Sequence, residues 1–469
     1  MAKQEKGIVE SCPHSDASSN EIINVEKDSA GLQARRKVDV TVLPLLFLGL
    51  LVFQLDRMNL ASALTDGFAK DIHVNQNTIN LGNQLMFLGI VVLEIPSNMI
   101  LQRIGPRRWL SAQVFIFGLV ATLQLFVKNK TGFLVARSFL GLCEAGYIPG
   151  GIYTLSTWYT KRELAKRVAV FFFGMFGGNA ISPLLASGIL KLRGHGGMKG
   201  WQWLFLLEGV FTMCVSLVLL FLLPETDLVA LKQRIEEYDN ERKHGAQGMR
   251  IPASLVWRTM KHYRRWPHFV STFAVFSTWS PLTTYTPTII MTLGFNRIQA
   301  NALACVGGFL ALGVIFFFGW LSDQTNKRGL AVIIAHVCYL LVLVVTRSVH
   351  LDVGKWSRWG LWTVVNAFAI GYHPVHNSWV QLNCKEPGER SIAIAMWVMS
   401  AISGLMVGTQ YFRGDDVPFY NKGLRTIIVM VSVGMFFAGV QEVVYWRYNQ
   451  KAEKKWREEG GEKPWLYVP

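Results

Sequence analysis

Val40–Ala63 reads VTVLPLLFLGLLVFQLDRMNLASA, apolar from Leu43 to Phe53 and then carrying Asp56-Arg57-Met58-Asn59 inside the same block. A bilayer core of roughly 30 Å needs about 20 helical residues to cross it. A soluble core helix could account for one such block, but the pattern recurs: Val210–Leu223, Phe309–Leu321 and Ile427–Val440 belong to similar stretches. Apolar blocks between charged or Pro/Gly breaks fall near residues 40–63, 78–101, 109–127, 132–157, 168–190 and 201–223. After a polar stretch from Pro224 to Pro267, six more lie near 268–293, 300–321, 329–349, 357–380, 390–412 and 424–447. The sequence thus predicts an all-α membrane protein of 12 transmembrane helices, six on each side of a hydrophilic loop.

Composition supports this and excludes other classes. Charged residues make up 17% of the chain, against roughly 25% in soluble proteins. The net charge of +16 could suggest nucleic acid, but the Lys and Arg lie between apolar blocks, not on one face or arm, so no nucleic-acid partner is expected. Membrane proteins collect such charge at their cytoplasmic surface. Cys143, Cys214, Cys305 and Cys338 sit within apolar spans and Cys12 in a polar tail, without the spacing of a disulfide framework or a zinc site. There is no phosphate-binding glycine loop and no nucleophile–base or metal-ligand spacing, so neither an enzyme nor a cofactor is expected.

The predicted organisation is a cytoplasmic tail 1–38, a six-helix bundle 39–224, a cytoplasmic central loop 225–266, a second bundle 267–448 and a cytoplasmic tail 449–469. The first tail lacks an apolar stretch, so the first span is expected to act as the insertion signal. Short loops carry comparable numbers of Lys and Arg on both sides and do not decide orientation. Arg35-Arg36-Lys37 abuts span 1, nine Lys/Arg lie between residues 225 and 266, and six follow from Arg447 onward. An even number of spans puts all three groups on one side, which is then cytoplasmic. A plasma-membrane monomer with both termini inside is the expectation.

A repeat is visible. Asn98-x4-Arg103-Ile104-Gly105-Pro106-Arg107-Arg108 follows span 2, and Gly319-Trp320-Leu321-Ser322-Asp323-x3-Lys327-Arg328 follows span 8, at equivalent places in the two halves. Two bundles related by an axis along the membrane normal would place them so, with the paired loops as gates. Any inner loop can also hold basic residues.

Charges inside the hydrocarbon are the sharpest chemical signal, because each is costly unless paired or hydrated. Span 1 holds Asp56 and Arg57, and span 4 holds Arg137 and Glu144. Arg57 lies about 21 Å into its helix at 1.5 Å per residue, beyond snorkelling reach of the inner surface. Arg137 and Glu144, two turns apart, share one face with Gly141 between them, which leaves space for a partner or ligand. A guanidinium in a low-dielectric cavity suits a substrate carboxylate, which it can hold by two parallel hydrogen bonds. Burial favours the neutral form of a carboxyl and a neighbouring Arg its ionised form, so such a group can take a proton on one side and release it on the other. The alternative is a static ion pair, Asp56 with Arg137 or Glu144 with Arg57. Weaker candidates are Glu94 and Glu208 near span ends, His373 and His376 as proton or substrate groups, and Trp279, Thr283 and Tyr285 as pocket lining. Histidines bonded within the fold, and aromatics at the bilayer edge, are the commoner arrangements. A shift of 221 residues carries Asp56, Arg57 and Glu144 onto Ser277, Thr278 and Val365, so the ionic equipment belongs to the first half.

Over residues 38–450 the chain resembles the major facilitator superfamily, and within it the anion:cation symporter branch with its fungal allantoate-permease-like carriers. The residues that carry the resemblance are Asp56-Arg57, Arg137-x6-Glu144, Gly200-Trp201-Gln202-Trp203 before Glu208, and Asp416-Val417-Pro418-Phe419-Tyr420-x2-Gly423. The resemblance implies alternating access between two pseudo-symmetric bundles. Arg57 would contact the substrate anion, with Asn59, Trp279, Tyr285 and His376 nearby; Asp56 and Glu144 would couple protons, with Arg137 tuning Glu144. Arg103, Gly105, Arg107 and Arg108 in one loop, and Gly319, Asp323, Lys327 and Arg328 in the other, would form the gating motifs. Gln102 stands where the superfamily often has Asp, and the drug-antiporter glycine pattern is only partly present in Gly174-x3-Gly178-x4-Pro183. The preferred expectation is proton-coupled uptake of a small organic anion. The alternatives are efflux of a natural product or drug, and a non-transporting nutrient sensor on the same scaffold.

Overall fold

A computed structural model describes residues 15–159, 161–224, 253–349, 352–385, 387–460 and 464–468. Residues 1–14 of the predicted first tail, 225–252 of the predicted central loop and 461–463 and 469 of the predicted last tail lie outside the described residues. The first half contains α1 (Ser15–Thr65), α2 (Gln76–Ile104), α3 (Pro106–Leu123), α4 (Lys130–Glu144), α5 (Tyr147–Trp158), α6 (Lys161–Ile189) and α7 (Gly200–Leu222). The second half contains α8 (Ala253–Met260), α9 (Trp266–Ser277), α10 (Trp279–Thr292), α11 (Arg297–Thr325) and α12 (Arg328–Val349). It continues with α13 (Lys355–Phe368), α14 (His373–Leu382), α15 (Pro387–Gly408) and α16 (Asn421–Glu459).

Among the described residues, eight helices are long and apolar enough to cross a membrane: parts or all of α1, α2, α3, α6, α7, α11, α12 and α16. The other four crossings are α15, whose apolar part is Ile392–Gly408, and three interrupted ones: α4–α5, α9–α10 and α13–α14. Each interruption has a local cause. Pro149, Pro281 and Pro374 sit in the first turn of α5, α10 and α14, where a missing N–H costs nothing but the ring blocks continuation from the preceding turn. At the first of them Gly146 takes φ +82°, which side chains rarely tolerate. Broken helices at membrane depth are accommodated where protein or a cavity surrounds the freed backbone. The sequence reading assigned continuous spans here, because hydropathy averages over one broken turn.

The halves repeat the same packing. Span 1 packs on spans 5 and 6, span 2 on span 4 and span 3 on span 6; in the second half span 7 packs on 11 and 12, span 8 on 10 and span 9 on 12. The halves meet through α6 with α11, α2 with α15, and α1 with α10. This is the pair of repeated six-helix bundles expected from the sequence. Small residues permit the closest crossings: a Cβ at Gly141 would run into the main-chain carbonyl of Met86. Gly141 is therefore a helix contact, not the ligand space the sequence suggested.

In the orientation predicted from charge, the outer end carries the connection between α1 and α2. That end is latched across the halves. Asp66 Oδ1 lies 3.3 Å from Arg297 and 3.4 Å from Arg193, while its Oδ2 accepts from the Trp201 N–H at 2.9 Å. Gln76 and Asn80 donate to the Phe412 carbonyl at 3.0 and 2.8 Å, Asn301 donates to Thr65 Oγ1 at 2.8 Å, and the Tyr285 hydroxyl donates to Asn80. At the opposite end Asp323 and Lys327 are exposed, and Asp323 pairs with Arg328 of its own loop at 2.6 Å.

Candidate functional site

Two of the charges that sequence placed at mid-depth, Arg57 and Arg137, line a cleft between the halves with about 480 Å³ of empty space, part of it open to solvent. α1 contributes Gln54, Arg57, Met58 and Ala61, α2 contributes Asn83 and Phe87, and α4 contributes Arg137. Across from them α10 presents Trp279, Ser280, Thr283 and Thr284, and α15 presents Leu405. One wall thus supplies two guanidinium groups; the other supplies hydroxyls and an indole.

Arg57 is held from three directions. Its Nε donates to Glu144 Oε2 at 2.7 Å, and its guanidinium lies 4.1 Å above the Phe53 ring and 5.8 Å from that of Phe87. The side chain keeps 14% of its surface exposed while Glu144 keeps none, so Arg57 stands between the carboxylate and the cavity. Of the two static pairings considered from sequence, this is the one present.

Arg137 is more unusual. It is almost wholly buried, and Nη2 donates to Asn83 Oδ1, but Nε and Nη1 have no hydrogen-bond partner. A buried donor without an acceptor costs the full desolvation of that group, more for a charged one. Here two such donors, on opposite edges of the guanidinium, belong to a residue that lines a cavity, so an anion beside it finds a donor without a partner. Asn83 links this residue to the opposite wall, donating to Thr284 Oγ1 at 3.2 Å.

The remaining candidates are dispersed. Asp56 and Asn59 are buried against α7, where Thr212 donates to Asp56 Oδ1 at 3.3 Å and the Asn59 amide faces Glu208. Glu208 is therefore deep in the bundle rather than at a span end. Tyr285 belongs to the outer latch, its ring near Phe412 and Tyr420. His376 lies in a polar chain toward the inner end: Nε2 is 3.0 Å from His268 Nδ1, and His268 Nε2 is 3.1 Å from the Tyr445 hydroxyl. Neither Tyr285 nor His376 lines the cavity. In the loops, Arg103 is exposed, Gly105 takes φ +93° between α2 and α3, and Arg107 donates to the Leu220 carbonyl at 2.7 Å. Arg108 lies one residue on, exposed at the start of α3; Gly319 and Lys327 flank exposed Asp323. The sequence reading missed Asn83, Gln54 and the Asp66 latch. Asp66 lies in a short connection where hydropathy attaches no cost to a charge, and amides give no such signal at all.

Comparison with known proteins agrees with the geometry. The family profile described as Major Facilitator Superfamily matches residues 46–409. An uncharacterized transporter of Saccharomyces cerevisiae is 26% identical over 90% of this chain and 81% of its own length. A putative tartrate transporter of Agrobacterium vitis is 28% identical over 72% of this chain and 79% of its own length. Among solved structures, a bacterial homolog of the human lysosomal transporter Spinster, in an inward-facing and unoccupied conformation, superposes with a TM-score of 0.67 at 14% identity. That likeness covers 87% of this chain and 97% of the other.

Proposed function

The chain belongs to the Major Facilitator Superfamily and is a membrane transporter, and on that premise we propose that it is a proton-coupled symporter of small organic anions. The observation that carries the reading is Arg137: a buried guanidinium at the cavity wall with two donors unsatisfied. A carboxylate in the cavity would accept a charge-assisted hydrogen bond from one of them. The similarity to a putative tartrate transporter supports a carboxylate as the substrate class.

Coupling follows from the Arg57–Glu144 pair. With Glu144 ionised, Arg57 is occupied and the pair is neutral. A proton on Glu144 removes its charge and releases Arg57 toward the cavity, where it joins Arg137 on the substrate. Proton and anion then favour each other's binding, which is the thermodynamic requirement for symport. Asn83 and Thr284 would sense the ligand across the midline, and the two bundles would rock about the site as the outer latch opens. Trp279 and the α10 hydroxyls would select the shape of the anion. Operation at the plasma membrane, as a monomer with both termini cytoplasmic, completes the proposal.

The test is uptake of labelled carboxylates, tartrate included, into proteoliposomes with an inside-alkaline pH gradient. Accumulation that collapses with a protonophore supports the reading. Uptake indifferent to the gradient contradicts symport, and accumulation of neutral analogues alone contradicts the anion.

A further inference from the structure

Two buried carboxyls, Asp56 on α1 and Glu208 on α7, lie on adjacent rungs of the seam between those helices, and Glu208 has no part in the transport cycle described above. Thr212 donates to Asp56 Oδ1 at 3.3 Å; one turn along both helices, the Asn59 amide meets the two carboxyl oxygens of Glu208. The four side chains form two rungs between the same helices, with 0% exposure at Asp56 and Asn59, 1% at Thr212 and 4% at Glu208. Asp56 Oδ2 has no hydrogen-bond partner.

The surroundings decide what this arrangement holds. The rungs consist of a hydroxyl and an amide, not cations. The adjacent Arg57 is matched by Glu144 at 2.7 Å, and Arg137, beyond it on α4, donates to Asn83. α6 and α3 also pack on α1, but their charged residues precede Val168 and Trp109 respectively. From α5, Tyr147 stacks on Phe53. Two ionised carboxylates one turn apart in such a place would suffer both desolvation and mutual repulsion. One proton relieves both, and it gives Asp56 Oδ2 or a Glu208 oxygen a hydrogen to donate. Asn59 suits either state, since its NH₂ end can donate to a carboxylate and its carbonyl can accept from a carboxylic acid.

We infer that Asp56 and Glu208 share one proton across the α1–α7 seam, with Asn59 as the positioning residue, and that this proton is part of the load the carrier exchanges. The inference rests on the symport reading and extends it to a residue outside the cavity. Protonation here removes negative charge beside Arg57 and so raises the attraction of the cavity for an anion; by reciprocity, a bound anion favours the proton.

Two measurements on the full chain test it. Infrared difference spectra of the purified protein between pH 5 and pH 9 are expected to show a carboxylic-acid C=O band that Glu208→Gln removes or shifts, as does Asp56→Asn. This readout needs no substrate. Uptake of the carboxylate that the wild type accumulates is then compared between pH 5 and pH 7.5. Glu208→Gln, a fixed neutral side chain, is expected to bring KM at pH 7.5 to within about twofold of its pH 5 value. Asn59→Ala, which keeps both carboxyls, is expected to shift the profile without abolishing it. A wild-type band unchanged in Glu208→Gln, or variants that keep the wild-type pH profile, would overturn the shared proton and leave symport standing. A wild type without proton dependence would overturn symport itself. Uptake driven by a sodium gradient alone would replace the proton with sodium and also overturn the inference.

Discussion

The two halves of this protein share one packing scheme and almost none of its chemistry. Span 4 and span 10 are both broken at mid-depth and both pack on the second span of their half. Span 4 places Arg137 and Glu144 just before its break; at the equivalent places span 10 has Arg358, near the start of α13, and the buried, apolar Val365. Span 1 carries Asp56 and Arg57, while span 7 at its break has Ser277 and Thr278, bonded to Tyr411 at 2.9 Å and Tyr339 at 3.1 Å. The difference teaches that the backbone repeat supplies movement, while the charged groups are concentrated in one of its copies. A charge in the membrane interior is stable only within a network that matches it, so placing the ionic groups together confines that cost to one bundle. On the proposed symport reading, the other bundle can vary hydroxyls and aromatics without disturbing coupling.

The strongest way to break this contrast is Arg137→Ala. One charge-assisted hydrogen bond contributes about 1.5–3 kcal/mol, so uptake measured as kcat/KM is expected to fall about 10- to 150-fold. Retained transport would remove the first half as the anion site. Next in size is Glu144→Gln, expected to abolish accumulation against a gradient while leaving exchange of internal for external substrate within about threefold of wild type. Loss of exchange as well would mean that Glu144 holds the structure together, the static role considered from sequence. Asp66→Asn weakens a partly buried ion pair across the halves and is expected to raise labelling of a cysteine placed at Thr284 from the outer side by about tenfold. The smallest effect belongs to the second half: Thr284→Val is expected to raise KM about two- to fivefold, by loss of one neutral hydrogen bond, with the dependence on pH unchanged. A change in proton dependence there would erase the division of labour.

How much of this was legible beforehand follows from what each feature costs. Crossing a bilayer requires a long apolar run, so the twelve spans and their approximate limits could be read without any structure. Asp56, Arg57, Arg137 and Glu144 stood out because an interior charge is expensive. The breaks left their marks in Pro149, Pro281 and Pro374, but a proline in a membrane helix can also kink it without ending it. Choosing between pairings was beyond reach: the order of residues allowed Arg57 with Glu144, but did not say that this pair forms and leaves Arg137 with free donors. The same holds for His376, whose partner His268 is 108 residues away. Tyr285 has the chemistry of a pocket residue, yet its hydroxyl is used by Asn80 in the outer latch.

The account turns on anion and proton entering the same carrier together. Its most direct test is the pH inside proteoliposomes, followed with a trapped dye when the transported carboxylate is added outside with no gradient imposed. The account predicts internal acidification that tracks anion uptake in the wild type and is absent in Glu144→Gln. Anion entry with no change in internal pH would contradict it.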